Sequence, residues 1–203
     1  MAKPDYTEMT DEHLMACVQI GDHGAFAVLV QRHSKMFFAA AYRMCANTNE
    51  SEDIVQEAFL KLWRNPKSWD AKHGVKFTTW FYRVVTNQAL DFLRKKKPQT
   101  GADIIEFIRD DRSSQQAVME EQEEQSALEQ AIQSLPERQK AALNLCYYEG
   151  LSNKEAADVL GVGVKALESL LMRAKATIRD VLTDKGFLNS LARKEEHYYG
   201  QAR

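Results

Sequence analysis

The 203-residue chain is 44% hydrophobic, which is enough to bury one large domain or two small ones. Its formal net charge of −2 argues against a free-standing protein that binds DNA without sequence preference. No run approaches the roughly 18 consecutive apolar residues of a membrane span, and residues 1–10 lack the basic and apolar regions of a secretory signal. We therefore expect a cytoplasmic protein that is not inserted in a membrane.

Charge is distributed unevenly along the chain. Residues 61–97 carry ten basic and two acidic side chains, a net charge of +8. Residues 98–129 carry two basic and nine acidic side chains, a net charge of −7. Either run alone is typical of a solvated surface, but the abrupt reversal indicates surfaces that serve different partners.

Apolar residues at helical spacing dominate the N-terminal part of the chain. Thr10, followed by two acidic residues, is the predicted N-cap of a first helix that ends near Gly21. The second predicted helix carries an amphipathic stripe, in which His33 is interpreted as a core-edge or surface residue rather than a ligand. The stripe consists of Phe26, Leu29, Val30, His33, Phe37, Ala40 and Ala41.

Two more helices are predicted before the charge reverses. Ser51 is the expected N-cap of the third, with Glu52 and Asp53 at the positive end of its dipole. The fourth is predicted from about Thr78 to Arg94, and the lysine run that ends at Pro98 closes it.

Residues 98–124 have the composition of a flexible acidic linker. Order is expected to return at Ser134, where Ser134-Leu135-Pro136-Glu137 has the pattern of a capping box with proline in the first turn. We therefore predict an all-α protein with two small helical domains. The predicted boundaries are 8–97 for the first domain, 98–124 for the linker, 125–183 for the second domain and 184–203 for a tail.

Residues 151–176 have the pattern of a helix-turn-helix motif. Ser152 and Glu155 form a second capping-box pattern, Gly161 can supply a left-handed turn, and a second helix is expected from Val164. In a DNA-bound motif, the outward face of the second helix enters the major groove. A helical hairpin with no role in DNA binding is the alternative. The predicted outward face carries Lys165, Glu168, Ser169, Met172 and Arg173.

Several segments, taken together with this motif, resemble the sigma-70 family of sigma factors, in its extracytoplasmic-function (ECF) group. Residues 53–63 (DIVQEAFLKLW) resemble region 2.2, and residues 77–87 (FTTWFYRVVTN) are similar to regions 2.3 and 2.4. Residues 21–30 are similar to region 2.1, and residues 135–138 followed by the helix-turn-helix motif resemble region 4. The resemblance implies a sigma-two and a sigma-four domain that direct core RNA polymerase to promoters and promote DNA melting, with no catalysis by the chain itself.

The resemblance also implies two surfaces on the first domain. The third helix would bind the clamp helices of the polymerase through Asp53, Gln56, Glu57 and Lys61, although an ordinary solvated face is the alternative. The loop 69–76 would hold a flipped base of the melted −10 element, since aromatic stacking can offset the cost of unstacking a base. Asn87 would contact a base, and Arg94, Lys95 and Lys96 would lie near duplex phosphates. The implied −10 contacts are Lys72, Lys76, Trp80, Arg83, Asn87, Arg94, Lys95 and Lys96.

The second domain would bind the duplex −35 element, and here the sequence departs from the family pattern. Many relatives carry a basic residue at the position of Glu168 and an arginine at that of Leu170. Glu168 can accept a hydrogen bond from a cytosine amino group but repels phosphate, which predicts a distinct −35 sequence or a weaker dependence on it. The implied −35 contacts are Lys154, Lys165, Ala166, Glu168, Ser169, Met172, Arg173 and Lys175.

Family analogy further implies an anti-sigma protein as partner. The alternative to a sigma factor is a helix-turn-helix repressor or activator that binds duplex DNA without being a polymerase subunit. No metal cluster, glycine-rich phosphate loop or nucleophile constellation is evident, so we expect neither cofactor nor catalysis. The cysteines, Cys17, Cys45 and Cys146, are interpreted as small buried hydrophobes in a reducing cytoplasm.

Overall fold

The computed structural model describes Tyr6 and residues 8–71, 74–96 and 116–184, with side chains from residue 125 onward in the last range. The described residues form helices and connecting turns without a β-strand, which confirms the predicted all-α class. The helices are α1 (Asp11–Gln19), α2 (His23–Cys45), α3 (Thr48–Arg64), α4 (Phe77–Lys96), α5 (Gln116–Gln133), α6 (Glu137–Leu143), α7 (Asn153–Leu160) and α8 (Val164–Asp184). A 3-10 turn covers Pro66–Ser68, and a π-helix covers Asn144–Tyr148 directly after α6.

The first half of the molecule packs α1, α3 and α4 around α2. Phe37 of α2 lies at the centre, fully buried, with its ring centroid 4.6 Å from that of Phe81 on α4. The ring of Phe59 on α3 is also 4.6 Å from that of Phe81, so three helices meet through aromatic contacts. His33 lies at the core edge as expected, with Nε2 2.8 Å from an Asp11 carboxylate oxygen.

Capping residues in the sequence correctly predicted some of the helix ends. The Thr10 side chain accepts a hydrogen bond from the backbone N–H of His13, which confirms it as the N-cap of α1. Gly161 follows α7 in the left-handed conformation, with φ of 63°, as a glycine allows at no steric cost.

Two predicted caps are wrong. Asn47, not Ser51, caps α3, and Ser51 lies buried inside the helix, where its hydroxyl donates to the Asn47 carbonyl at 2.6 Å. The Ser134 hydroxyl donates back to the Ala131 carbonyl at 2.7 Å, because α5 runs to Gln133 and the serine follows its end. Pro136 occupies the N-cap position of α6 without a side-chain hydrogen bond.

The second half packs α5, α6 and α7 against α8. Leu167, Leu171 and Ala174 on the inner face of α8 are buried, and Leu170 packs against the core while partly exposed. An Nη2 group of Arg138 donates to the Leu160 carbonyl at 3.1 Å and so braces the end of α7. α5 begins at Gln116, within the range expected to be linker, whereas residues 97–115 and 185–203 lie outside the described residues.

Candidate nucleic-acid interface

The outer side of α4 carries most of the basic residues predicted for the −10 element. Its inner side is buried through Phe77, Phe81 and Val85, and this fixes the rotation of the helix about its axis. Five predicted contacts on α4 are therefore exposed: Arg83, Asn87, Arg94, Lys95 and Lys96. Such a face combines cations that can hold phosphates with an amide that can read a base edge.

Some of these side chains already have partners within the helix. Arg94 pairs with Asp91 one turn earlier, and Lys96 Nζ lies 5.6 Å above the ring centroid of Phe92. These contacts involve exposed groups and are weak, so phosphate can displace them. Lys76 is exposed just before α4, and Trp80 is half-buried between solvent and the rings of Phe77 and Phe81.

Trp69 has a structural place in the loop before α4. Its side chain is buried, and its indole N–H donates to the Val75 carbonyl at 3.2 Å, which closes the loop on itself. The buried ring therefore offers no open stacking surface to a base. Lys72, the other predicted contact of this loop, lies outside the described residues, and the base pocket stays a prediction.

The predicted polymerase-binding residues lie along one exposed stripe of α3. Asp53, Gln56 and Lys61 are exposed, and Glu57 is partly exposed with an oxygen 3.7 Å from Arg64 Nη1. Ile54, Val55 and Ala58 are buried on the opposite side. Leu60 lies on the same stripe with 45% of its surface exposed, and sequence reasoning missed it. Its side chain adds an apolar group within a polar surround, and an apolar centre with a polar rim is compatible with a protein-binding face.

The residues predicted for the −35 element lie together on the exposed side of the helix-turn-helix motif. Leu167, Leu171 and Ala174 turn the other side of α8 into the core, so the helix can present only one face. All eight predicted side chains are exposed: Lys154 on α7, and Lys165, Ala166, Glu168, Ser169, Met172, Arg173 and Lys175 on α8. This is the arrangement that a recognition helix needs to enter a major groove.

The chemistry of this face is mixed. The Ser169 hydroxyl donates to the Lys165 carbonyl at 2.9 Å, and so it offers its acceptor lone pairs outward. Lys175 Nζ lies 5.0 Å from the ring centroid of Tyr147 and is partly engaged. Glu168 stands among these groups as an exposed carboxylate.

The first turn of α7 is held by the predicted capping box, which the structure confirms. The Ser152 hydroxyl accepts from the Glu155 backbone N–H, and the Glu155 carboxylate accepts from the Ser152 backbone N–H. The side-chain hydrogen bond from Ser152 is the main cause that lowers the pKa of Glu155 below its usual value of 4.5. These two reciprocal hydrogen bonds therefore fix the position at which the helix-turn-helix motif begins.

The fold and these faces define a two-part helical DNA-binding protein with a helix-turn-helix motif in its second part. Family models match both parts: "Sigma-70 region 2" covers residues 29–99 and "Sigma-70, region 4" covers residues 125–178. In the residues that the structure describes, no helix is long and apolar enough to cross a membrane.

Similar proteins point the same way. The ECF RNA polymerase sigma factor SigW of Bacillus subtilis is 31% identical over 188 residues, which cover 87% of this chain and 99% of SigW. The ECF RNA polymerase sigma-E factor of Escherichia coli is 30% identical over 84% of this chain and 93% of its own. Among solved structures, CnrH in complex with the cytosolic domain of CnrY superposes with a TM-score of 0.63 at 25% identity, over 86% of this chain and 97% of CnrH.

This chain belongs to the sigma-70 family, in its ECF group of RNA polymerase sigma factors. It is a promoter-specificity subunit of RNA polymerase, as the resemblance implied. The alternative, a repressor or activator that acts without polymerase, finds no support among these relatives.

Proposed function

We propose that the chain directs core RNA polymerase by dividing the work among three surfaces. The α3 stripe binds the polymerase, the α4 face holds the −10 element, and the α8 face reads the −35 element. The observation that carries this proposal is that most of the residues predicted from sequence for each task lie on one accessible side of one helix, while the opposite sides of these helices form the core.

The division into domains at 8–97 and 125–183 belongs to the same proposal. Each half has helices enough to bury apolar residues, and each half carries its own binding face. The polymerase performs the catalysis, so the chain itself is not an enzyme. The chain acts in the cytoplasm, where the polymerase transcribes. A melted −10 strand and a duplex −35 element suit the two DNA faces, since the first offers unpaired bases and the second an intact major groove.

Run-off transcription with purified core polymerase tests the whole proposal. The full chain should support initiation on a promoter recovered from a genomic library, and core polymerase alone should not. Failure on every promoter in such a library would contradict it. Mapping the transcript start sites after overexpression in cells would then give both promoter elements.

Charge reversal tests the polymerase surface separately. The double variant Asp53→Lys with Glu57→Lys should lose binding to core polymerase, because a polar and partly acidic stripe suits a basic coiled coil. Glu12→Lys, an exposed glutamate on α1, is the matched control and should bind normally. Equal loss in both variants would show a general charge effect instead of a binding site.

We further propose that an anti-sigma protein controls this chain. CnrH, which shares 25% identity and most of its length with this chain, was solved in complex with the cytosolic domain of CnrY. The binding faces of this chain are accessible, so a partner can cover them. The partner that co-purifies with the native chain should inhibit run-off transcription when added back, and a chain that is active without induction in its host would contradict this proposal.

A further inference from the structure

The loop between α3 and α4, described at residues 65–71 and 74–76, is fastened to the end of α1. The side-chain amide of Gln19, the last residue of α1, donates to the Trp69 carbonyl at 3.0 Å and to the Pro66 carbonyl at 3.4 Å. An amide nitrogen carries two hydrogens, so one glutamine can serve both carbonyls. α1 therefore holds the α3–α4 loop by its backbone at two points.

The position of Gln19 is itself fixed by packing. Leu14 and Val18 on the same helix are 0% and 1% exposed, so the inner face of α1 belongs to the core. The chain then turns, and Asp22 caps α2 by accepting hydrogen bonds from two backbone N–H groups of its first turn. Gln19 thus presents its donor from a short segment that is packed on one side and anchored at its end.

Trp69 extends this anchor to the start of α4. Its buried indole N–H donates to the Val75 carbonyl at 3.2 Å, and its ring meets that of Phe77 edge-on with the centroids 6.0 Å apart. Lys76, a predicted −10 contact, lies between these two residues in the chain. The Lys76 carbonyl accepts from the backbone N–H of Trp80 at 3.1 Å. The backbone that carries both predicted contacts is therefore tied, through Trp69, to α1.

The other end of α1 bears on the same place. An Asp11 carboxylate oxygen lies 2.8 Å from His33 Nε2, and the His33 ring centroid lies 5.5 Å from that of Phe77, the first residue of α4. The family model for region 2 begins at residue 29, so α1 lies outside the segment that it matches. α1 nevertheless contacts the −10 side of the first half from both of its ends.

Such fastening suits a loop that must bind nucleic acid. A binding site requires its groups to be held within about 0.5 Å of the productive geometry. A loop that already has its bound shape loses less conformational freedom on binding, which strengthens the complex. The hydrogen bonds described here use backbone carbonyls and a buried indole, and they leave Lys76 exposed and Trp80 half-buried at the surface.

We propose that Gln19 is a positioning residue for the −10 element. Its amide holds the α3–α4 loop in the shape in which Lys76 and Trp80 receive the melted strand, and Gln19 itself does not contact the DNA. This inference rests on the proposed function of the α4 face. Loss of the amide should therefore weaken binding of the −10 strand and should leave the −35 element and the polymerase surface unaffected.

Two substitutions of Gln19 test this role in the holoenzyme. Gln19→Leu removes the donor, whereas Gln19→Lys keeps a donor that can reach the same carbonyls. With Gln19→Leu, the holoenzyme should bind single-stranded oligonucleotides of the −10 element about fivefold more weakly, as expected for the net loss of one hydrogen bond. Gln19→Lys should stay near the wild-type affinity. Fluorescence anisotropy measures strand binding, and binding to −35 duplex and to core polymerase should be unchanged in both variants.

Two sets of controls separate positioning from other effects. Gln31, an exposed glutamine on α2, receives the same two substitutions and should bind the strand as the wild type does. It shows whether an added charge alone alters binding. Thr10→Ala removes the N-cap of α1 and leaves the Gln19 amide in place, so it should lower stability and keep the strand affinity. A loss in Thr10→Ala equal to that in Gln19→Leu would identify general weakening of the fold as the cause and overturn the positioning role.

Hydrogen exchange of the free chain provides a readout without DNA. Backbone amides of residues 65–71 should exchange several-fold faster in Gln19→Leu than in the wild type, with exchange in α2 unchanged. Should Gln19→Leu unfold, as circular dichroism would show, Gln19→Asn takes its place, because its shorter side chain cannot reach both carbonyls.

Two results would overturn the inference while the proposed function stands. One is unchanged exchange in the loop, and the other is unchanged strand binding by the variant beside a wild-type holoenzyme that binds the −10 strand. A wild-type holoenzyme that binds no −10 strand would instead overturn the proposed function of the α4 face, and this inference with it.

Discussion

Ser152 and Glu155 cap the first turn of α7 reciprocally: the Ser152 N–H donates to Glu155 Oε2 at 3.0 Å, and the Glu155 N–H donates to Ser152 Oγ at 3.3 Å. The pair fixes the point at which the helix-turn-helix motif begins. Two otherwise unpaired N–H groups of the helix end find acceptors in this way. The orientation of α7, against which α8 packs, therefore depends on a contact between residues three apart in the chain.

Loss of this cap should destabilise the second half measurably. Ser152→Ala should lower the free energy of unfolding by about 1 kcal/mol, whereas Ser152→Asp, which keeps an acceptor at the N-cap, should stay near the wild type. Thermal and urea denaturation measure both changes. Equal stability of all three proteins at pH 7 would show that the cap contributes nothing.

The same pair should respond to acid. Since the pKa of Glu155 is lowered in the folded state, its contribution is present above the unfolded value of 4.5 and is lost as the pH falls through the folded value. The stability difference between wild type and Ser152→Ala should therefore shrink when the pH is lowered below about 4. A difference that stays constant down to pH 3 would contradict this account of the pKa.

Arg173 should contribute to recognition of the −35 element and not to polymerase binding. Arg173→Ala should weaken −35-dependent transcription by about 1–3 kcal/mol of binding free energy if the side chain contacts a base, with polymerase binding unchanged. Arg179→Ala, an exposed arginine further along α8, is the matched control and should transcribe normally. Run-off transcription and a pull-down with core polymerase measure the two effects. Loss of both activities would mean a misfolded protein or a wrong assignment.

Glu168 should limit the affinity of the recognition helix for phosphate. Glu168→Lys should strengthen binding of the holoenzyme to promoter duplex and should steepen its salt dependence by about one counterion for each additional phosphate that the lysine neutralises. Glu168→Gln removes the repulsion without adding a cation and should leave the salt dependence less steep than Glu168→Lys does. If Glu168 reads a cytosine, both variants should also lose preference for that base pair. Identical salt dependence and base preference in all three proteins would place Glu168 outside the interface.

Cys45 should be chemically inert in the folded chain. Burial raises the pKa of the Cys45 thiol to about 11, so that only ~0.1% is thiolate at pH 8. A variant that keeps Cys45 as its single cysteine should react far more slowly with a disulfide reagent than one that keeps only the half-buried Cys17. Its rate should rise with pH toward 11 while the fold persists. Reaction at the rate of a free thiol at pH 8 would show that the site opens readily.

Local signals in the sequence predicted the helix-turn-helix well. Ser152, Glu155 and Gly161 act on neighbours within a few residues, and each has the conformation and partners expected of its type. The exposed faces of α3, α4 and α8 were also predictable, because a period of 3.6 residues separates their buried side from the rest. Leu60 was missed although its spacing places it on the exposed stripe of α3, because only polar side chains of that face were predicted to bind.

Cap prediction failed where several polar residues compete. Asn47, and not Ser51, is the N-cap of α3 because the chain turns just before Asn47, at Ala46, which is in the left-handed conformation. That turn depends on how α2 meets α3. The prediction at Ser134 failed because α5 extends to Gln133. Ser134 directly follows the end of that helix, and its hydroxyl donates to the Ala131 carbonyl. Both errors arose because a helix begins or ends at a residue other than the predicted one, and packing between helices determines where these ends lie.

The contact of Glu149 with Tyr82 and Arg43, which joins the second half of the molecule to the first, lay beyond any local pattern. Tyr82 and Glu149 are 67 residues apart, and Arg43 and Glu149 are 106 apart. Nothing within a helical window relates such residues, and a buried glutamate in a loop is uncommon without a partner. Only the assembled fold brings them together.

The direction in which Glu149 points at this contact depends on the number of residues in the π-helix at Asn144–Tyr148. The Glu149 N–H donates to the Asn144 carbonyl five residues back, at 3.1 Å, so this turn holds one more residue than an α-helical turn would. Deleting a single residue here would regularise the turn and rotate the chain beyond it by about 100°. Glu149 would then point away from Tyr82 with every participating side chain still present in the chain. A one-residue deletion in this turn could therefore separate the halves as effectively as removing the carboxylate itself.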